Sequence, residues 1–274
     1  MKKVYQMEIK RAFQGLSYRI TLLIGCGISL CHVIRCGIPH YRYLRSLGGV
    51  YKGLLHPVSA SELWMGGNTY NIEGFVFYAI LPLLAVFPYG QSYYEDVKGG
   101  FIRQIYSREQ RSSYLKAKYL AVFLSGGTAV IIPLLVNWLG TLLFVPNLLA
   151  ESALQSNNIT YESLWKHLFF TKPGLYLGIF LALTFVFAGI YATMALSVSF
   201  FSEWKIFVYT FPFFIQMGIY TITMLMGKLE FSNVYFLVPG FGITSAGVLA
   251  GHLIIGFCLT ALLFYILGKK EDIL

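Results

Sequence analysis

Five stretches without a single Asp, Glu, Lys or Arg constrain this chain more than any other feature. They run from Gly74 to Tyr94, Tyr119 to Ala150, Pro173 to Ser202, Ile206 to Gly227 and Phe231 to Gly268. A bilayer core is crossed by roughly 20 apolar residues in helical conformation, so each stretch holds one crossing and the longest leave residues over for loops. A shorter window, Ile20 to Ile34, becomes long enough when Leu16 to Ser17 and Cys36 to Ile38 are added, with Arg19 and Arg35 reaching back to the two interfaces. Only 12% of the residues are charged, against about 25% in a soluble domain. The expectation is an all-α integral membrane protein with six transmembrane helices, forming one domain over residues 1–274.

The loops between these stretches carry Lys and Arg unequally. Alternate assignment puts 14 basic residues on the side of both termini and seven on the other. Basic loops stay cytoplasmic, so both termini are expected inside the cell membrane. The net charge of +9 is then explained by an anionic inner leaflet and calls for no nucleic acid. Cys26, Cys31 and Cys36 recur at steps of five, which turn successive side chains to different helix faces, and Cys258 stands alone. They read as packing thiols, with no metal site. Leu23-Ile24-Gly25-Cys26 looks like a lipoprotein box, but only Ile20 to Ile24 separate it from Arg19, too few for a leader's apolar region.

Outside the crossings, Tyr5, Ile9, Ala12, Phe13 and Leu16 recur at helical steps opposite Lys3, Gln6, Lys10 and Gln14. Residues 1–16 therefore read as a helix in the interface, or as the start of the first crossing. Gly37 to Glu73 is a long outer segment broken by Gly48-Gly49, Gly66-Gly67 and two prolines, with Tyr51, Trp64 and Tyr70 suited to headgroups. A second outer segment, Pro146 to Lys172, contains the sequon Asn158-Ile159-Thr160 and Trp165 and predicts a short helix. Ser202 to Lys205 predicts a tight cytoplasmic hairpin. Phe236-Leu237-Val238-Pro239-Gly240-Phe241-Gly242 is apolar yet broken, either a segment dipping into the outer half of the membrane or an ordinary loop.

The chain has no Gly-x-x-x-x-Gly-Lys-Ser/Thr loop, so any ATP belongs to another subunit; His-Glu-x-x-His and Gly-x-Ser-x-Gly are also missing. Within the five charge-free stretches His252 is the one histidine, and it reads as a hydrogen-bonded packing group. Asn137, Gln216, Thr221 and Thr223 either line a pathway or bond helix to helix; Gln216 and Asn137 are the candidates for a substrate path. Pro82, Pro88, Pro133 and Pro212 permit kinks.

The densest polar block runs from Glu95 to Lys118, where nine charged side chains fall within 24 residues. It contains Glu95, the pair Gly99-Gly100, Ile102 and Ile105 on one helical face, and Arg111, Tyr114 and Lys118 leading into the next crossing. This pattern resembles the permeases of the ABC transporter type-2 family. There an acidic residue ends the second span, glycine follows, a short coupling helix comes next, and Arg-x-x-Tyr-x-x-x-Lys enters the third span. Arg108 stands where that pattern often has proline.

The resemblance implies the membrane subunit of an ATP-driven exporter of peptides, drugs or other amphipathic substrates. The chain would pair with a second copy or a homologous permease in contact with membrane lipid, and work with separate ATPase subunits, which hold ATP and Mg. It implies a coupling segment over 91–118, with Glu95, Gly100, Arg103, Ile105, Arg108 and Arg111 engaging the ATPase. The alternative is a non-transporting receptor or scaffold that recruits a cytoplasmic protein.

Overall fold

The computed structural model describes residues 2–46, 58–67, 71–149, 159 and 163–270. Gly48-Gly49, Tyr51, Tyr70, Asn158 and Thr160, singled out above, lie outside the described residues. Among the described residues the chain is helical, with a lone bridge between Ser163 and Ile243. Five helices are long and apolar enough to cross a membrane: Leu16–Ser46, Arg111–Leu142, Pro173–Val198, Lys205–Leu225 and Ala246–Lys270. The protein is a helical membrane protein.

The chain begins with α1 (Lys2–Gln14), and Gly15, in extended backbone, turns it into the first long helix. That helix comprises α2 (Leu16–His32), a π-turn over Val33–Gly37 and α3 (Ile38–Ser46). The one-turn α4 (Ala60–Leu63) follows, held by a capping box between Ser59 and Glu62.

The stretch expected to form the second crossing as one helix over Gly74 to Tyr94 is discontinuous and is not among those five long helices. It is divided into α5 (Ile72–Ala79), α6 (Leu81–Val86) and α7 (Ser92–Lys98), with turns at 87–91. The causes are in its sequence. Pro82 has no N–H to return to the carbonyl of Tyr78, and Pro88 with Gly90 ends α6. Gln216 replaces the missing donor, its Nε2 lying 3.1 Å from the Tyr78 carbonyl and 3.4 Å from that of Ala79.

Next come α8 (Phe101–Tyr106), α9 (Arg111–Leu142), α10 (Lys166–Thr171), α11 (Pro173–Val198), α12 (Lys205–Leu225), α13 (Asn233–Phe236) and α14 (Ala246–Lys270). The short helix expected between Pro146 and Lys172 is α10, and the hairpin expected at Ser202 to Lys205 joins α11 to α12. α9 is the central post, packed by α1, α2, α6, α11 and α14. Small residues let backbones meet there: a Cβ on Gly126 would lie 2.5 Å from that of Ala192 on α11, and one on Gly25 would lie 2.5 Å from Pro133.

The apolar, broken stretch before α14 folds as α13 and a run of turns, with Phe236, Leu237 and Val238 buried. Its backbone is met by protein: Tyr176 donates to the Pro239 carbonyl at 2.8 Å and the Gly240 N–H donates to the Gly66 carbonyl.

The polar segments sort to two ends. At one end Glu8 pairs with Lys118, Glu95 pairs with Lys205, and Gly268 abuts Leu115. At the other end Arg35 pairs with Glu73, Ser59 bonds Leu148, and Leu164 bonds Gly242. The first end collects the more basic set of loops.

Candidate functional site

The polar block from Glu95 to Lys118 forms a corner under the basic end of the bundle. Gly99 closes α7, and Gly100, at φ 69°, starts α8 from a left-handed backbone that a side chain would strain. The two-turn α8 is amphipathic, as its spacing predicts. Its apolar face is turned inward, where Ile102 is fully buried and Ile105 nearly so in the chain's own core. Ile105 packs inside the corner, against the chain's own core. Arg103, Gln104, Ser107 and Arg108 form the exposed face. Arg111 sits half-buried at the foot of α9, its guanidinium 5.2 Å from the ring centre of Tyr106. Glu95 is exposed and bound to Lys205 at 2.5 Å, while the Tyr94 hydroxyl donates to the Glu203 carbonyl, so α7 is fastened to the α11–α12 hairpin.

Behind this corner lies a group of buried charges that no single stretch of sequence announces. Glu8 on α1 and Lys118 on α9 are both fully buried, and their side chains meet at 2.9 Å. Lys118 also donates to Asp96 of α7 at 2.5 Å and to the Tyr89 hydroxyl at 3.2 Å. Arg11 forks onto both oxygens of Asp96, at 2.7 and 3.2 Å, and reaches Glu8 at 3.0 Å. Tyr89 donates to Glu8 at 2.8 Å and Tyr114 donates to Asp96 at 2.6 Å. The Arg11 guanidinium lies 4.4 Å from the ring centre of Phe101, the first residue of α8.

Two acids and two bases leave the group neutral, and every ion has at least two partners. That is the condition under which burying charge is tolerated. Burial pushes the Asp96 carboxyl up, but Lys118 beside it and the hydrogen bonds from Arg11, Lys118 and Tyr114 outweigh this and hold it below the usual carboxylate range. The cluster ties α1, α7, α8 and α9 together.

The two residues expected to line a path are bonded inside the protein. Asn137 is fully buried; its Oδ1 accepts from the Met65 N–H at 2.8 Å and its Nδ2 donates to the Ser29 carbonyl at 3.0 Å. With the amide so oriented, Nδ2 also faces Nδ1 of His32 at 3.0 Å, which makes that nitrogen an acceptor. Gln216, nearly buried, serves the break in the second segment described above. Both bond one helix to another segment of the protein.

Among the described residues no group of His, Cys, Asp and Glu is arranged to hold a metal ion. The chain matches no protein-family model, no curated protein and no solved structure.

Proposed function

We propose that this chain is the membrane permease subunit of an ATP-driven exporter of the ABC type-2 kind. It would work as a pair of copies, each with a separate ATPase subunit that binds and hydrolyses ATP with Mg. The observation that carries the reading is the corner at α8. A short helix presents Arg103 and Arg108 outward while Ile102, Ile105 and the buried ions behind it fix its inner side to α1, α7 and α9. A push on α8 is then delivered to the foot of the central post, because ions taken out of water keep their partners rather than slide past them.

In this reading the discontinuous segment α5–α7 is a sixth crossing. It runs from the Arg35–Glu73 pair at one end to the Asp96–Lys118 pair at the other, and both termini lie in the cytoplasm of a cell whose plasma membrane holds the chain. The partner supplies the free energy, and the permease supplies an element with two arrangements. The substrate class is a peptide, drug or other amphipathic compound.

Reversing the exposed charges tests this. Arg103→Glu with Arg108→Glu, in the complete complex reconstituted in vesicles, is expected to abolish transport and the permease-dependent part of ATP hydrolysis while membrane insertion and thermal stability stay normal. Hydrolysis that remains permease-dependent in the doubly reversed protein would remove α8 as the contact.

A further inference from the structure

α11 and α14 are pinned together at one level and open above it. The pin is a knot of hydroxyls: Thr260 meets Tyr119 at 3.0 Å and Thr193 at 3.4 Å, and Ser197 donates to the Thr260 carbonyl at 3.0 Å. From there toward the less basic end the two helices and α12 splay around a cleft of about 470 Å³. One face of α14, stepping from Val248 through Gly251, His252, Ile255, Gly256 and Leu259 to Thr260, forms a wall. The volume lies within the range of about 300–1,000 Å³ typical of small-ligand sites.

Three features select the occupant. The lining is apolar along its length, with Ile190, Met194, Ile215 and Ile219 from the facing helices. The wall from Val248 to Thr260 rises through about twelve helical steps, roughly 18 Å, which is close to one leaflet of a hydrocarbon core about 30 Å thick. Unused acceptors gather at the open end. Asn233, more than nine-tenths buried, donates through Nδ2 to the Tyr191 hydroxyl at 2.7 Å, and its Oδ1 has no partner. One turn below the rim, His252 faces the Val248 carbonyl through Nδ1 at 2.9 Å. That nitrogen therefore carries the proton, and Nε2 is an acceptor.

We propose that this cleft holds one acyl chain of a membrane lipid from the less basic leaflet, whose hydroxyl-bearing head donates hydrogen bonds to Asn233 and His252. The chain fills the apolar length down to the Thr260 knot, and the head supplies the donors that the rim lacks. The site is independent of any ATPase and of the exporter reading.

The test uses the full chain in nanodiscs containing a phosphatidylglycerol with a diazirine near the end of one acyl chain, and in parallel the same chain on a choline head. After irradiation, adducts are mapped by mass spectrometry. They are expected to concentrate on Met194, Ile215 and Leu259, and to be several-fold more abundant with the glycerol head than with the choline head. A Cβ at Gly251 meets nothing within 4 Å, so Gly251→Leu fills the cleft without a clash and should lower labelling about tenfold, the effect of roughly 1.4 kcal/mol. Gly178→Leu, equally unhindered on α11 and outside the cleft, should leave labelling unchanged.

Adducts spread evenly over the outward faces of the helices, or undiminished in Gly251→Leu, would overturn the proposal. So would equal labelling by both heads, or loss of labelling at high protein density, which would mean that a second copy covers the cleft. Should Gly251→Leu fail to insert, the distribution of adducts on the unaltered chain decides.

Discussion

Lys118 is the residue on which the basic end of the molecule depends most. It is fully buried, and Glu8 and Asp96 both lean on it. Lys118→Met leaves two buried carboxylates facing one guanidinium and is expected to cost about 3–5 kcal/mol in thermal or denaturant unfolding in detergent. Combining it with Glu8→Gln should cost less than the two single changes added together, since the second removes the charge that the first strands. The depressed Asp96 carboxyl sets the direction of the pH dependence. The unfolded carboxyl takes up its proton first, so the contribution is whole above its ordinary value of 3.8 and is lost as pH falls through the lower native value. Lys118→Met should abolish most of that acid-range loss. Tyr114 and Lys118 stand out in the sequence as part of a motif, but Glu8, the partner of Lys118, does not. A glutamate on the stripe of Val4 and Ala12 reads as one polar residue on a surface helix until a base 110 positions away is placed against it. Gln216 was legible as a polar residue needing a partner, and its partner was hidden because a backbone carbonyl freed by Pro82 leaves no mark of its own. Gln216→Leu should cost roughly 1–3 kcal/mol, and less in a Pro82→Ala background, where the alanine N–H returns to Tyr78.

At the scale of elements, charge-free length was a sound guide to the long helices, and four of the runs supply most of α9, α11, α12 and α14. The limits moved where polar residues are held by the protein itself. α9 starts at Arg111 rather than Tyr119 because its first two turns stand on the buried ions, and α14 starts at Ala246 because Pro239 and Gly240 turn the preceding chain. The run over Gly74 to Tyr94 looks like the others in hydropathy, yet its prolines divide it. The corner between α7 and α8 rests on Gly100, whose left-handed backbone makes Gly100→Ala unfavourable by about 1–2 kcal/mol. The expected sign is faster amide exchange over residues 101–106 with the α9 amides unchanged; protection unaltered in α8 would mean that the corner is held by Ile102 and Ile105 alone.

For the whole molecule, the sorting of loops to two ends makes topology measurable. With Cys26, Cys31, Cys36 and Cys258 first replaced, single cysteines at Ser46 and Lys172 should react with an impermeant thiol reagent added outside cells, and those at Arg108 and Trp204 should not. The reverse pattern would invert the chain in the membrane. The central claim is that the α8 corner receives an ATPase, and affinity purification of the tagged full chain from its own membranes with Mg-ATP present tests it most directly. The expected result is one ATPase subunit with a phosphate-loop motif retained per permease copy, and lost when Arg103 and Arg108 are both changed to Glu. A chain recovered without any ATPase, or with one that stays bound to the doubly reversed protein, would contradict it.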